Sequence, residues 1–369
     1  MTARTPTIVE TTDRTPAEWD RLAVHSPGGH AFQSHAWGEL KRPLGWSVRR
    51  FVIEDAGTPL AVIALQVRPL LGRSGVRLGR GGPAYGYAPR GPILLRPEAD
   101  ADAGASVVAG LRDVARAVDA TILTLDPAWP ADGPLSAELR SQGFAPAARE
   151  VQVSRTAMVV PVLGDESEQH RLVRKSTAHL INRARREGAA AEPIDLGSAS
   201  PAEIDEALAT MHDLLAATAR REGIVLRDRE YQVSQWRALG AAGIASLWFG
   251  RVGDRRWAGS VLLRCGGTLV QFQAGSADDA DLRRVPANHL LQWEILRWAA
   301  GAGYAGYDMG GVDTVRAPGV PRDESHPLWN LYLFKHGFGA QAVEYVGAHE
   351  YAANPLARVA WRVARAVRR

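Results

Sequence analysis

The sequence predicts an α/β protein built from two domains. A chain of 369 residues is longer than one hydrophobic core usually supports. Strand-like and helix-like apolar patterns alternate along it, and one layout occurs twice, over residues 47–126 and again over 245–308. In each copy a region rich in hairpins precedes a helix and then a strand that closes on an aspartate. The repeat is one of layout and not of sequence.

Composition narrows the class of protein. The net charge of +4 is a modest basic excess, which permits a phosphate-bearing partner without requiring one. A lone cysteine, Cys265, excludes an internal disulfide framework and a multi-cysteine metal site, and the histidines lack the spacing of a zinc motif. We find no charged leader with an apolar run and no stretch near the ~20 apolar residues that span a bilayer. We therefore expect a cytoplasmic protein without a metal cofactor.

The first elements are a helix over residues 15–23 and the segment 31–41 into which it leads. In the second segment we expect Trp37 and Leu40 to pack inward and Lys41 to lie on the opposite side. Lys41 is the first candidate site residue.

A hairpin follows, with strands over 47–53 and 60–67. The glycine-rich tract 72–91 contains Arg90 and has neither a P-loop nor a dinucleotide-binding pattern, so we interpret it as a loop that lines a cleft. A helix over 103–118 then leads to a buried strand that stops on Asp126.

The second half repeats this alternation. The predicted elements are a strand over 151–162, helices over 166–187, 201–221 and 230–239, a meander over 245–252, 257–264 and 268–274, and a buried helix over 286–301. Ser200, with Glu203 three residues on, has the pattern of a helix N-cap.

The helix over 166–187 carries the densest basic patch of the chain, formed by Arg171, Arg174, Lys175, Arg183, Arg185 and Arg186. Such a patch can attract nucleic-acid phosphates. From charge alone, a solvated helix face is the more common explanation.

Residues 303–340 are the most informative stretch. A strand ends in Tyr307-Asp308-Met309-Gly310-Gly311, where the glycine pair allows a sharp turn next to a ligand and places Asp308 at a pocket mouth. Lys335 follows an aromatic run, where a lysine can bury its stem and direct its ammonium at an anionic group. Gly337 and Gly339 are expected to end that helix in the left-handed conformation. The alternative is a simple tight turn and a solvated lysine.

Five motifs follow one another along nearly the whole chain. They are Ala88-Pro89-Arg90-Gly91-Pro92, the basic helix before Arg185-Arg186-Glu187-Gly188, Ala287-Asn288-His289-Leu290-Leu291-Gln292-Trp293-Glu294, Tyr307-Asp308-Met309-Gly310-Gly311 and Phe334-Lys335-His336-Gly337-Phe338-Gly339. Together they resemble the FemABX family of non-ribosomal peptidyltransferases. The resemblance implies two acetyltransferase-type (GNAT-like) domains in tandem, each a mixed twisted sheet flanked by helices. It places the first over 1–150 with 345–369 and the second over 151–344, in the compact form without a coiled-coil arm.

The resemblance also implies roles for individual residues. Lys41 and Arg227 match a lysine and an arginine that bind the diphosphate of the precursor. Asp126 matches the acid near the acceptor amine, and Lys335 the lysine that helps the aminoacyl ester react. Arg90, Gln273 and Asp308 are further candidate substrate-binding residues, and Arg174, Lys175, Arg183 and Arg186 are candidates for tRNA contact.

The implied reaction transfers an amino acid from aminoacyl-tRNA, as co-substrate, to an amine of a peptidoglycan precursor. Four positions near the matched residues differ from those of an alanine-adding member of the family. This chain has Pro43, Thr121, Val225 and Gln273 there. Transfer to a secondary metabolite therefore stays open, as does a coenzyme A-dependent N-acyltransferase of the same fold. A non-enzymatic RNA-binding module is the third alternative.

The last residues, 355–369, form an amphipathic basic pattern. The more common arrangement packs the stripe of Leu356, Val359, Ala360, Val363 and Val367 on its own domain and leaves an arginine-coated outer face. The alternative is peripheral contact with the inner membrane leaflet.

Overall fold

A computed structural model of the chain describes residues 6–70, 83–96, 101–279 and 284–367. The chain divides into two compact units, which we call unit one and unit two. Unit one comprises Met1–Arg155 and Glu344–Arg369, and unit two comprises Thr156–Val343.

Unit one contains a mixed sheet in the order β1-β2-β3-β4-β6-β15-β7, with β5 paired to β3. Its strands are β1 (Thr7–Glu10), β2 (Ser47–Asp55), β3 (Thr58–Pro69), β4 (Ala84–Arg90), β5 (Ile93–Leu94), β6 (Ala120–Pro127), β7 (Ala145–Pro146) and β15 (His349–Ala352). Strands β4 and β6 are parallel, whereas the other paired strands described in this sheet are antiparallel.

The helices of unit one are α1 (Pro16–Ala23), α2 (His35–Glu39), α3 (Ala101–Ala117), α4 (Pro134–Ser141) and α11 (Pro355–Val367). Alternate residues of the hairpin β2–β3 pack into two clusters. Phe51 and Ile53 lie in the cluster that contains α3, and Val52 lies in the cluster that contains Trp19 of α1. The hairpin is thus buried on both faces, as its nearly continuous apolar sequence requires.

Unit two contains a second mixed sheet, in the order β14-β8-β13-β12-β11-β10-β9. Its strands are β8 (Thr156–Pro161), β9 (Ala189–Ile194), β10 (Ala245–Val252), β11 (Arg255–Cys265), β12 (Thr268–Ser276), β13 (Gly306–Gly311) and β14 (Gln341–Glu344), whose last residue belongs to unit one. Its helices are α5 (Glu166–Leu172), α6 (Lys175–Arg186), α7 (Pro201–Glu222), α8 (Arg229–Ala241), α9 (Ala287–Gly301) and α10 (Trp329–His336).

Helices cover both faces of this sheet. Helix α9 packs on the face that carries Ala258 and Leu262, where Trp293 is fully enclosed in the core. Helix α7 lies on the other face and approaches so closely that a Cβ on Gly275 would stand 2.6 Å from the backbone of Leu214. Gly275 therefore sets the distance between α7 and β12.

The predicted fold class is confirmed, and the repeated layout has a structural basis. In unit one, β4 leads through α3 to the parallel strand β6, which carries Asp126. In unit two, β12 leads through α9 to the parallel strand β13, which carries Asp308. Each connection is a βαβ crossover that brings the carboxyl ends of two strands to one edge.

Three predicted elements were wrong in part. Residues 84–90 form strand β4 and not a loop, because pairing with β3 and β6 overrides their glycine and proline content, while residues 71–82 lie outside the described part. The predicted strand over 151–162 begins only at Thr156. The predicted helix over 166–187 breaks at Val173, which is extended and buried, and Arg174 then donates its backbone N–H to Gly337 O at 2.9 Å.

Candidate active site

Asp126 lies buried near the end of β6 at the centre of a polar cluster. Its carboxylate accepts hydrogen bonds from the Tyr87 hydroxyl at 2.6 Å, the Arg90 backbone N–H at 2.6 Å and the Gln152 side-chain amide at 3.0 Å. Gln152 also donates to the Tyr87 oxygen at 3.1 Å. Burial raises the pKa of the Asp126 carboxyl against the lowering effect of the Arg90 charge and the three donors. The carboxylate is therefore a stronger base than an exposed aspartate.

Arg90 holds an unusual backbone conformation beside this cluster. Its φ of +55° lies in the left-handed region, which directs its N–H onto Asp126. Its guanidinium lies 5.1 Å from the centre of the Tyr345 ring, and the residue lines an apolar cavity of about 500 Å³. Other residues that line this cavity include Leu60, Leu94, Arg96, Val107, Trp129, Leu135 and Glu138.

Tyr87 and Gln152 were not predicted as site residues. Tyr87 stands opposite Thr124 in the parallel pairing of β4 with β6, so that it lies beside Asp126. Reading residues 84–90 as a strand would have indicated this neighbour. Gln152 lies in the irregular segment before β8. It was missed because this segment was assigned to a strand from the sequence.

Lys41 follows α2 and lies against an aromatic ring. Its ammonium stands 4.1 Å from the centre of the Trp37 ring, so the prediction that these two residues lie on opposite sides was wrong. Trp37 is itself buried and stacks on Phe32 at 4.1 Å. The ring fixes the lysine stem and leaves the half-buried ammonium in a cation–π contact.

Lys335 is a buried cation of unit two. It lies on α10 with 6% of its surface exposed, and its ammonium donates to Gly311 O at 2.7 Å. Burial lowers the pKa of Lys335 from 10.5 to about 8, with the nearby Asp308 charge acting in the opposite direction. The surface-lysine alternative is therefore excluded for this residue.

Asp308 shapes the turn that receives the lysine. Its carboxylate accepts the Gly310 backbone N–H at 2.7 Å, and Gly310 has a φ of +81°. A Cβ on Gly310 would stand 3.6 Å from the Lys335 nitrogen. The glycine thus allows the turn and keeps the ammonium close to the backbone.

The parallel strands β12 and β13 of unit two separate near the Gly310 turn. Among the described residues, β12 pairs with β13 only from Thr268 to Val270, opposite Gly306 to Asp308. A register shift in the β11–β12 pair, at Phe272, bends β12 just beyond. The Lys335 ammonium therefore lies where β13 is no longer paired with β12.

The other predicted residues of unit two lie apart from Lys335 in the sequence and have different partners. Gln273 accepts the indole N–H of Trp236 at 2.7 Å, so one side of its amide is already engaged. Arg227 is exposed in the turn between α7 and α8, with its guanidinium 5.8 Å from the centre of the Tyr231 ring.

The basic helix separates into paired and exposed charges. Arg183 donates to Glu187 at 2.8 Å and to Arg284 O at 2.8 Å. Arg174, Lys175 and Arg186 are exposed. Lys175, His179, Asn182 and Arg186 follow each other at helical spacing, so they form one exposed polar stripe on α6.

The helix cap after Lys335 differs from its prediction at one position. Gly337 has a right-handed φ of −59°, whereas Gly339 has a left-handed φ of +85°. A Cβ on Gly339 would stand 2.8 Å from Leu172, so this glycine also permits close packing.

Across the residues that the structure describes, no group of three or more His, Cys, Asp or Glu side chains is placed to hold a metal ion. No helix in the same ranges is long and apolar enough to cross a membrane.

Comparison with known proteins agrees with this architecture. The acetyltransferase (GNAT) domain family matches residues 175–316. A crystal structure of FemX superposes with a TM-score of 0.74 at 19% identity, covering 96% of this chain and 99% of that chain. A conserved protein of unknown function from Bacteroides thetaiotaomicron gives a TM-score of 0.56 at 13% identity, with 94% and 100% coverage. At these identities the structures establish the fold.

Two curated relatives extend over almost the whole chain. The UDP-N-acetylmuramoylpentapeptide-lysine N(6)-alanyltransferase of Weissella viridescens is 25% identical over 353 residues, 91% of this chain and 93% of the relative. The lipid II:glycine glycyltransferase of Staphylococcus aureus (strain USA300) is 20% identical over 415 residues, with 92% of each covered.

Fold and comparisons together define a transferase built from two acetyltransferase-type units. More particularly, the chain is similar over almost its whole length to FemX and to two named aminoacyltransferases, and it is itself an aminoacyltransferase.

Proposed function

We propose that this enzyme transfers an amino acid from aminoacyl-tRNA to an amine of a peptidoglycan precursor, lipid-linked or nucleotide-linked, and so builds an interpeptide bridge or branch. One observation carries the proposal: a buried lysine with a pKa of about 8 lies where β13 leaves β12. The activities of the two relatives, an alanyltransferase and a glycyltransferase that act on peptidoglycan precursors, supply the substrate class.

In this proposal, Lys335 stabilises the negative charge that develops on the donor ester. The acceptor nitrogen attacks the ester carbonyl carbon, the new C–N bond forms, and the bond from that carbon to the ribose oxygen breaks. Negative charge develops first on the carbonyl oxygen and then on the leaving ribose oxygen. An ammonium in a buried position stabilises that charge more strongly than one in water. With a pKa of about 8, Lys335 can also give a proton to the ribose oxygen and regain one from solvent.

Asp126 serves the acceptor. The amine must be neutral to attack, and the nitrogen loses a proton as the amide forms. The raised pKa of Asp126 suits it to accept that proton. Because Asp126 is only 2% exposed and Tyr87 is half-buried, the Tyr87 hydroxyl is the group that would pass the proton inward.

Lys41 and Arg227 are the proposed ligands of the precursor diphosphate. A guanidinium offers two parallel donors to a phosphate and an ammonium offers a point charge. The ring contact of Arg227 is compatible with this role, because a cation–π contact leaves guanidinium N–H groups available to a ligand.

The exposed stripe of α6, with Lys175 and Arg186 at its ends, is the proposed contact for tRNA. Arg174 lies beside it, whereas the ion pair with Glu187 removes Arg183 from the stronger candidates. A lipid-linked acceptor would also bring the enzyme to the inner leaflet of the membrane, with helix α11 as the candidate contact.

The test is a transfer assay analysed by mass spectrometry. The protein is incubated with a mixture of charged tRNAs and with nucleotide-linked or lipid-linked muropeptide. We expect a product heavier by one amino-acid residue. A product that forms only with acetyl-coenzyme A would instead establish the acyl-coenzyme A alternative, and failure with every muropeptide would reject a peptidoglycan acceptor.

A further inference from the structure

Helix α11 exposes an apolar stripe to solvent. Leu356, Val359 and Val363 are 82%, 61% and 58% exposed, and their spacing of three and four residues puts them on one side of the helix. This reverses the expected arrangement, in which the stripe packs against its own domain.

The opposite side of the helix is the one attached to unit one. Trp361 stacks on Tyr85 at 5.0 Å and donates its indole N–H to Glu350 at 2.9 Å. Arg358 donates to Gly143 O at 3.0 Å. The aromatic and basic side therefore anchors the helix, and these contacts hold the apolar stripe outward.

We infer that helix α11 is a membrane-surface anchor that inserts Leu356, Val359 and Val363 into an anionic bilayer. A helix of this kind lies in the plane of the interface with its apolar face among the acyl chains. Arg362 is exposed and lies three residues after Val359, so it borders the apolar stripe. With the stripe inserted, its guanidinium would lie at the level of the lipid phosphates. Arg365, Arg368 and Arg369 add positive charge to this end of the sequence.

The size of the stripe favours a bilayer over a second copy of the chain. A helix of 13 residues is about 20 Å long, and an apolar stripe about 10 Å wide offers roughly 200 Å². A stable protein interface buries about 800 Å² on each partner. A membrane sets no such minimum, because basic residues near the helix strengthen the attachment through anionic lipid headgroups.

This inference does not depend on the transfer reaction, because partition into vesicles requires no catalysis. The full-length protein is mixed with sucrose-loaded vesicles, either pure phosphatidylcholine or equal parts phosphatidylcholine and phosphatidylglycerol, and the bound fraction is measured after sedimentation. We expect binding to the anionic vesicles that weakens with added salt, and little binding to pure phosphatidylcholine.

The main variant carries Leu356→Gln, Val359→Gln and Val363→Gln. These replacements remove the apolar stripe, and glutamine is a good helix former at exposed positions. Its partition coefficient should fall by about tenfold or more. The control carries Val153→Gln and Val225→Gln, since these two valines are 77% and 97% exposed elsewhere in the chain. The control should bind as the wild type does. Arg362→Glu should weaken binding to anionic vesicles specifically.

Unchanged near-ultraviolet circular dichroism would show that the aromatic side chains of the triple variant, Trp361 and Tyr85 among them, keep their packing. Equal binding of wild type and triple variant would overturn the inference, and so would equal binding to both kinds of vesicle. Sedimentation as a dimer that the triple variant abolishes, without binding to lipid, would assign the stripe to a second copy and also overturn it.

Discussion

The replacement Lys335→Met distinguishes a catalytic lysine from a structural one. If the lysine is catalytic, the replacement should lower the reaction rate and raise the stability of the fold. Methionine keeps the apolar stem and removes the ammonium. If the charge stabilises the transition state, kcat should fall by about 100- to 1,000-fold, the usual cost of removing one oxyanion donor. KM should change little, since the interaction strengthens only as the ester reacts.

The same replacement should stabilise unit two. A lysine whose pKa falls from 10.5 to about 8 on folding destabilises the native state by about 3 kcal/mol at neutral pH, because the folded protein binds its proton less tightly. Loss of the hydrogen bond to Gly311 O costs about 1 kcal/mol, which leaves a net gain of about 2 kcal/mol. The penalty is complete below pH 8 and is relieved between pH 8 and 10.5. The advantage of methionine should therefore shrink over that range.

The pH dependence gives a second test of the ammonium. Arginine stays charged over the whole pH range. The titration of the acceptor amine affects the wild-type and Lys335→Arg rates equally, so its effect cancels in the ratio of the two rates. This ratio should be constant below pH 8 and then fall about tenfold for each further pH unit. Spontaneous hydrolysis of the ester is subtracted with an enzyme-free blank.

The assay is single-turnover transfer from aminoacyl-tRNA under excess enzyme, with denaturant unfolding of the same preparations. A variant that is less stable than the wild type and affected only in KM would show that the Lys335 ammonium does not act on the transition state. A rate ratio that stays constant to pH 10 would show the same.

Three further predictions concern the other candidate residues. Asp126→Asn should lower the rate about 100-fold, and the wild-type rate should fall as the pH drops through the raised pKa of Asp126, measured as an acid limb that the variant lacks. Lys41→Ala and Arg227→Ala should each weaken precursor binding about 10- to 100-fold, with a smaller dependence on salt in calorimetric titrations. Lys175→Glu with Arg186→Glu should weaken tRNA affinity at least about tenfold in filter binding while leaving binding of the free precursor unchanged.

Matched variants control these measurements. Asp113→Asn changes a half-buried carboxylate on α3 in unit one, where it pairs with Arg116. Arg229→Ala removes an arginine next to the Arg227 turn, and Arg220→Glu reverses an exposed charge on α7. Effects as large in these controls would remove the assigned roles. An acid limb that persists in Asp126→Asn would move the base to another group.

Periodicity in the sequence was enough to predict the elements with strong patterns. The meander β10–β11–β12 and helix α9 were predicted within two residues at each end, because alternating or continuous apolar residues identify strands and buried helices. Strand β4 was missed because its glycines and prolines are typical of loops, and only its pairing with β3 and β6 makes it a strand.

The site residues were harder to predict for a related reason. The cluster of Tyr87, Asp126 and Gln152 joins positions up to 65 residues apart, which no local pattern indicates. Helix α11 shows the other limit. Periodicity told which residues share a face, but the contacts of Trp361 decide which face is turned inward.

In the proposed reaction, the ester of aminoacyl-tRNA is the direct source of the transferred amino acid. The most direct measurement follows the radiolabelled aminoacyl group from tRNA to muropeptide in a single turnover. We predict one modified acceptor for each ester bond broken, with no product after ribonuclease treatment of the charged tRNA and none from free amino acid. Ester cleavage without a modified acceptor, or product formation that survives loss of the tRNA, would rule out direct transfer from aminoacyl-tRNA to the muropeptide.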